Sequence, residues 1–139
     1  TDFLGNLRKD YSRMLNRSLV IAAALGVAVA ASGSAAAADV AAGEKVFKKC
    51  KACHTIEAGG KNKIGPNLAG IFGRQAALVE GYKYSKALRR SEITWDDTNM
   101  TEWLAGPKKM LKGNKMAFPG LRNEEDIANV IAYMKEAGG

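Results

Sequence analysis

The chain has 139 residues, 21 of them Lys or Arg against 14 Asp or Glu, a formal charge of +7. Two cysteines and one histidine are too few to supply the four ligands of a structural zinc site. The basic excess accompanies no recognised nucleic-acid motif, which argues against a nucleic-acid partner, and no internal repeat is visible.

In chain order, residues 1–13 read as an upstream extension, because Met14 is a better start than Thr1. Residues 14–38 read as a secretory signal peptide. Arg13 and Arg17 precede the apolar run Leu19–Ala31, and Ser32-Gly33-Ser34 leads into Ala35–Ala38, with cleavage expected after Ala38. The competing reading is an uncleaved membrane anchor, since the uncharged stretch Leu19–Ala38 has about the length that crosses a bilayer. Its second half is only Ser, Gly and Ala, however, and no linker follows it, so cleavage is the expectation. Removing 38 of the 139 residues leaves 101, with 17 basic and 12 acidic side chains and a charge of +5. Residues 39–139 then form one small domain whose own core is marginal.

Asp39 is placed to cap a helix whose positions Val40, Gly43, Val46, Phe47 and Cys50 recur at helical spacing. That helix leads into Cys50-Lys51-Ala52-Cys53-His54, which uses both cysteines and the only histidine. Two thiols three positions apart, followed by an imidazole, suit covalent attachment of a c-type haem. Each thiol adds across one vinyl group, and His54 becomes the proximal iron ligand. A thioredoxin-like pair would follow a strand, and no alternating pattern precedes Cys50. A covalent haem would also supply the apolar surface that so small a domain lacks.

Beyond the motif, Gly59-Gly60, Gly65-Pro66, Gly70, Gly73, Gly106-Pro107, Gly113 and Pro119-Gly120 mark loops, and Ser85–Arg90 and Thr98–Ala105 read as short helices. A second axial ligand is expected from Met116, which lies in Gly113–Gly120, where two glycines and a proline let the backbone turn a thioether inward. Met110 is the second choice. Asn123, followed by Glu124, Glu125 and Asp126, predicts the start of a last helix. Ile127, Val130, Ile131 and Met134 form its stripe, and Gly138 its stop. Gly43 would let this helix cross the first closely, with Phe47 and Tyr133 in contact. The fold expected is all-α, with three main helices, shorter ones, and long loops walling a haem.

From Gly43 to about Gly138 the chain resembles class I cytochromes c, in their mitochondrial and bacterial soluble-carrier branch. The resemblance rests on GEKVFKKCKACHT (43–55), GPNLAGIFGR (65–74), YSKA (84–87), ITW (93–95), GPKK (106–109) and GNKMAFPG (113–120). It implies that the Pro66 carbonyl orients His54, that Arg74, Tyr84 and Trp95 surround the haem propionates, and that Trp103 and Phe118 line the pocket near Met116. It also implies a docking ring drawn from Lys49, Lys63, Lys108, Lys109 and Lys115. Three positions depart from the mitochondrial pattern: Leu88 for a usual Asn, Trp103 for Tyr, and Asn114 for Thr.

The function implied is a monomeric periplasmic electron shuttle, matured by the haem-attachment machinery. A cytochrome bc complex would reduce it, and a terminal oxidase or photosynthetic reaction centre would oxidise it. A haem peroxidase or small-ligand sensor with a labile Met116 is the enzymatic rival, though the distal segment offers no His or Arg as acid–base. A carrier tethered by an uncleaved Leu19–Ala38 is the other.

Overall fold

A computed structural model of the protein describes residues 37–139. The upstream extension and almost all of the expected signal segment, including the Leu19–Ala31 run, lie outside the described residues. Five helices follow: α1 (Val40–Lys51), α2 (Lys86–Arg89), α3 (Asp97–Ala105), α4 (Pro107–Met110) and α5 (Glu124–Gly138). Among the described residues the only β-type pairing is a single bridge between Gln75 and Thr94. No described helix is long and apolar enough to cross a membrane.

The predicted caps form. Asp39 Oδ1 accepts the Ala42 N–H at 3.0 Å, and Asn123 Oδ1 accepts the Glu125 N–H at 2.8 Å. Each satisfies one of the orphan donors of a helix start. Three basic residues occupy the last turn of α1 and three acids the first turn of α5, charges that oppose the ends of the helix dipole they sit on. Asp96 caps α3 in the same way, its Oδ1 accepting from Asn99 N at 2.7 Å.

α1 and α5 cross at Gly43. A Cβ there would come within 2.5 Å of the Asn129 carbonyl carbon and 2.9 Å of Tyr133 Cβ, so only glycine permits this approach. Phe47 is fully buried and meets Tyr133 at 5.2 Å between ring centroids. Ile127, Val130, Ile131 and Met134 are buried as their spacing predicts. Asn129 is buried beside them, and its Oδ1 accepts the Asp39 N–H at 2.7 Å. That bond ties the start of α1 to the middle of α5.

Two local expectations shift. Gly106-Pro107 is not simply loop, because Pro107 opens α4 at its first helical position. The missing proline N–H is one that a helix start leaves unpaired anyway. Gly138 lies inside α5 rather than after it, and its carbonyl accepts the Gly70 N–H at 2.9 Å. The helix end is therefore held by a distant loop.

Ala77 and Glu92 are non-glycine residues at positive φ, 65° and 53°. An L-residue there pays a steric cost of about 1–2 kcal/mol, partly offset by the extra unfolded-state entropy of glycine. Ala77→Gly is therefore expected to raise stability by about 0.5–1 kcal/mol, read as a higher denaturant midpoint at unchanged slope.

Candidate functional site

The loops between α1 and α5 enclose a cavity of about 280 Å³. Cys50, Cys53 and His54 line it from the end of α1, and Met116 and Phe118 from the loop that precedes α5. Residues 53 and 54 leave α1 through bonds from Cys53 N and His54 N to the Cys50 carbonyl, each 2.9 Å. This tight exit holds both thiols and the imidazole on one wall.

His54 is fixed twice. Its Nδ1 donates to the Pro66 carbonyl at 2.8 Å. Its ring face lies so close to Gly65 that a Cβ there would fall 2.7 Å from both ring nitrogens. A carbonyl can only accept, so Nδ1 carries the proton and Nε2 keeps a free lone pair. Burial lowers the His54 pKa and favours the neutral ring; the Pro66 bond opposes this and the Lys63 charge assists it. Pro66 is positioned by its neighbours. Gly65 N–H donates to Cys53 O at 2.7 Å, and Asn67 N–H to Asn62 Oδ1 at 2.9 Å.

The two cysteines are free thiols in the structure. Burial pushes the Cys50 thiol up to about 11, with Lys49 opposing and Cys53 adding to the rise.

The other expected pocket residues converge on the same space. Arg74, Tyr84, Trp95 and Trp103 all line the cavity. Trp95 and Trp103 meet edge to face at 5.2 Å, and Tyr82 packs on Tyr84 at 4.7 Å. Arg74 is anchored by a 3.1 Å bond from its guanidinium to the Ala69 carbonyl. Burial raises the pKa of the Tyr84 phenol, while the Val79 backbone and the Arg74 charge oppose the rise. Met110 is not on the cavity wall; it packs against the core from α4. Of the two candidate methionines, Met116, the first choice from the sequence, lines the cavity and Met110 does not.

Leu88 and Asn114, two of the three departures from the mitochondrial pattern, also line the cavity, as does Trp103, the third. Of the five lysines, Lys49 and Lys115 lie on the cavity wall. Lys108 and Lys109 are exposed on α4. Lys63 Nζ donates to the Lys51 carbonyl at 2.6 Å, and Lys115 Nζ to Lys83 O at 3.3 Å. Sequence reasoning did not find Ile64 and Leu78. Both are large, apolar and exposed, at 78% and 59%, and both line the cavity. They are the large hydrophobic side chains left exposed among the described residues, and only the folded loops bring both to the cavity.

A sequence profile of the family described as Cytochrome c matches residues 40–138. The chain belongs to the cytochrome c family. It is 48% identical over 120 residues to cytochrome c-554 of Methylosinus trichosporium, covering 86% of this chain and 91% of that one. It is 45% identical over 112 residues to cytochrome c2 of Blastochloris viridis, covering 81% and 88%. Among solved structures, cytochrome cH from Methylobacterium extorquens matches with a TM-score of 0.67 at 46% identity, covering 70% of this chain and 98% of that one. This cytochrome is an electron-transfer protein rather than an enzyme, has the all-α cytochrome c fold, and carries one covalent c-type haem.

The site fits that group. It presents an apolar cavity, two unpaired thiols at its wall, an imidazole with Nε2 uncommitted, and a thioether among its lining residues. Cys50 and Cys53 would hold the porphyrin, and His54 and Met116 would offer donors to its iron. When bound, the haem supplies a one-electron ferric/ferrous couple. The chain's own part is to fix the ligand orientations, keep water away, and leave an edge open for a partner.

Proposed function

We propose that this cytochrome is an exported periplasmic one-electron carrier with His54 and Met116 as axial ligands, attached to haem through Cys50 and Cys53. Pro66 orients His54. Arg74, Tyr84 and Trp95 surround the propionates, and Trp103 and Phe118 wall the side near Met116. Residues 14–38 act as the export signal, removed after Ala38, residues 1–13 are an upstream extension, and residues 39–139 are the working domain. The donor is a cytochrome bc complex and the acceptor a terminal oxidase or a photosynthetic reaction centre, each met as a monomer in a transient complex.

One observation carries this reading. The His54 Nδ1 proton is committed to Pro66, so the imidazole offers Nε2, and Met116 rather than Met110 lines the same cavity. Imidazole and thioether together raise the potential and close both axial positions, which suits electron transfer and disfavours peroxide chemistry. Spectroelectrochemical titration of the purified holoprotein tests it. A single one-electron wave at clearly positive potential, with the Met–iron charge-transfer band in the ferric state, is expected. A low potential with high-spin ferric iron would refute the ligand pair. Fractionation tests export: the haem signal is expected in the soluble periplasm, and recovery with membranes would favour the uncleaved anchor.

Docking is proposed at the cavity mouth, where exposed Ile64 and Leu78 supply a small apolar contact. Lys49, Lys63, Lys108, Lys109 and Lys115 supply positive charge around it. Such a face steers acidic partners and releases them quickly. The Lys108→Glu, Lys109→Glu double variant is expected to slow electron exchange with the partner roughly tenfold or more at low ionic strength. The deficit should shrink as salt screens it. A salt-independent effect would remove these two lysines from the docking face.

A further inference from the structure

We infer that Asn114 is the positioning residue for the sixth iron ligand, holding Met116 in its ligand-presenting place; this rests on the assignment of that ligand to Met116. The carboxamide of Asn114 is fully engaged, and every partner is backbone. Its Nδ2 donates to Pro107 O at 2.8 Å and to Leu111 O at 2.7 Å. Its Oδ1 accepts the Met116 N–H at 2.9 Å.

Acceptance from a residue two positions on is ordinary turn chemistry. The two donations are not, because they join that turn to both ends of α4. Pro107, the first residue of α4, is among the most deeply buried side chains in the protein. Asn114 therefore links the Met116 backbone to a fixed point in the core. Met116 is half-buried, and its backbone N–H is held by Asn114.

The chemistry is specific to a primary amide. Two donors and one acceptor are used at once, a set that a hydroxyl or a carboxylate cannot match. Asn114 thus differs from the hydroxyl residue usual at this position in mitochondrial relatives in what it can hold. Loop opening is the step that exposes the iron, so the brace sets how often the position comes free.

The test uses ferric holoprotein with free imidazole as probe, following capture by stopped-flow absorbance alongside the Met–iron charge-transfer band. Asn114→Ala is expected to keep covalent haem and the band yet capture imidazole about tenfold faster or more, as removal of its three side-chain hydrogen bonds from the closed loop implies. Asn114→Asp keeps the acceptor for Met116 N–H, loses both donors, and sets a carboxylate against two carbonyl oxygens. It should be at least as fast. Asn114→Thr, which retains a single hydroxyl, should fall between Asn114→Ala and the parent and guards against failure of the alanine variant to fold.

Asn123→Ala removes the α5 cap and is expected to lower the unfolding midpoint while leaving capture at the parent rate. Capture by Asn114→Ala and Asn114→Thr within twofold of the parent would overturn the inference. So would equal acceleration by Asn123→Ala, which would make Asn114 a matter of general stability. Met116→Ala separates the two levels. If that variant binds imidazole no faster than the parent, the ligand assignment itself fails, whatever Asn114 does.

Discussion

Met116→Ala holoprotein is expected to retain covalent haem, lose the Met–iron charge-transfer band, fall in reduction potential, and bind small exogenous ligands at least about a hundredfold more tightly. Attachment survives because the thiols and His54 depend on the α1 exit and the Pro66 bond, neither of which involves Met116. The potential falls because a thioether is the donor that favours the ferrous state. The affinity change follows from competition: a position occupied by an internal ligand about 99% of the time weakens any external ligand about a hundredfold. Titration with imidazole and redox potentiometry measure both effects. An unchanged potential would move the sixth ligand elsewhere, with Met110 first in line despite its place off the cavity wall.

Gly43→Ala is expected to be the most damaging single substitution in the helical frame, at about 3 kcal/mol or more. The added methyl would meet the backbone of Asn129, within 2.5 Å of its carbonyl carbon, and Tyr133 Cβ at 2.9 Å. Backbone inside α5 cannot swing aside as a flexible side chain can. The two helices must separate, loosening the Phe47–Tyr133 contact and the Asp39–Asn129 bond together. For a small domain this is a large share of total stability, typically about 5–15 kcal/mol. Denaturant unfolding of the holoprotein, with Glu44→Ala as an exposed neighbour on the same helix, measures it. Equal midpoints for the two variants would remove the close crossing from the account of stability.

Much of the site could be read before any fold was known, because it is contiguous in the chain. Cys50, Cys53 and His54 occupy five successive positions, and their chemistry depends on spacing that a helix exit enforces locally. The caps at Asp39 and Asn123 were legible for the same reason, since donor and acceptor lie within three residues. The core stripe of α5 and the crossing at Gly43 follow from helical periodicity and the lack of a side chain. The resemblance to class I cytochromes c added the pocket residues, and the structure places each of them on the cavity or against His54.

What escaped was set by partners distant in sequence. Asn129 reads as a polar interruption of a helix stripe, yet it accepts a bond from Asp39, ninety positions away. Gly106-Pro107 reads as punctuation, yet it begins α4 and anchors Asn114. Ile64 and Leu78 lie on separate loops and become one opening only when those loops close on the cavity.

The sequence by itself determined the cofactor class, the Cys50–His54 motif and the main helices, because those depend on groups a few residues apart along a regular backbone. Only the tertiary structure showed that Met116 lines the cavity and Met110 does not, that Pro66 accepts from His54 Nδ1, and what Asn114 holds. Each of those depends on which loop meets which across a cavity, and that is set by packing between segments whose local sequence carries no record of one another.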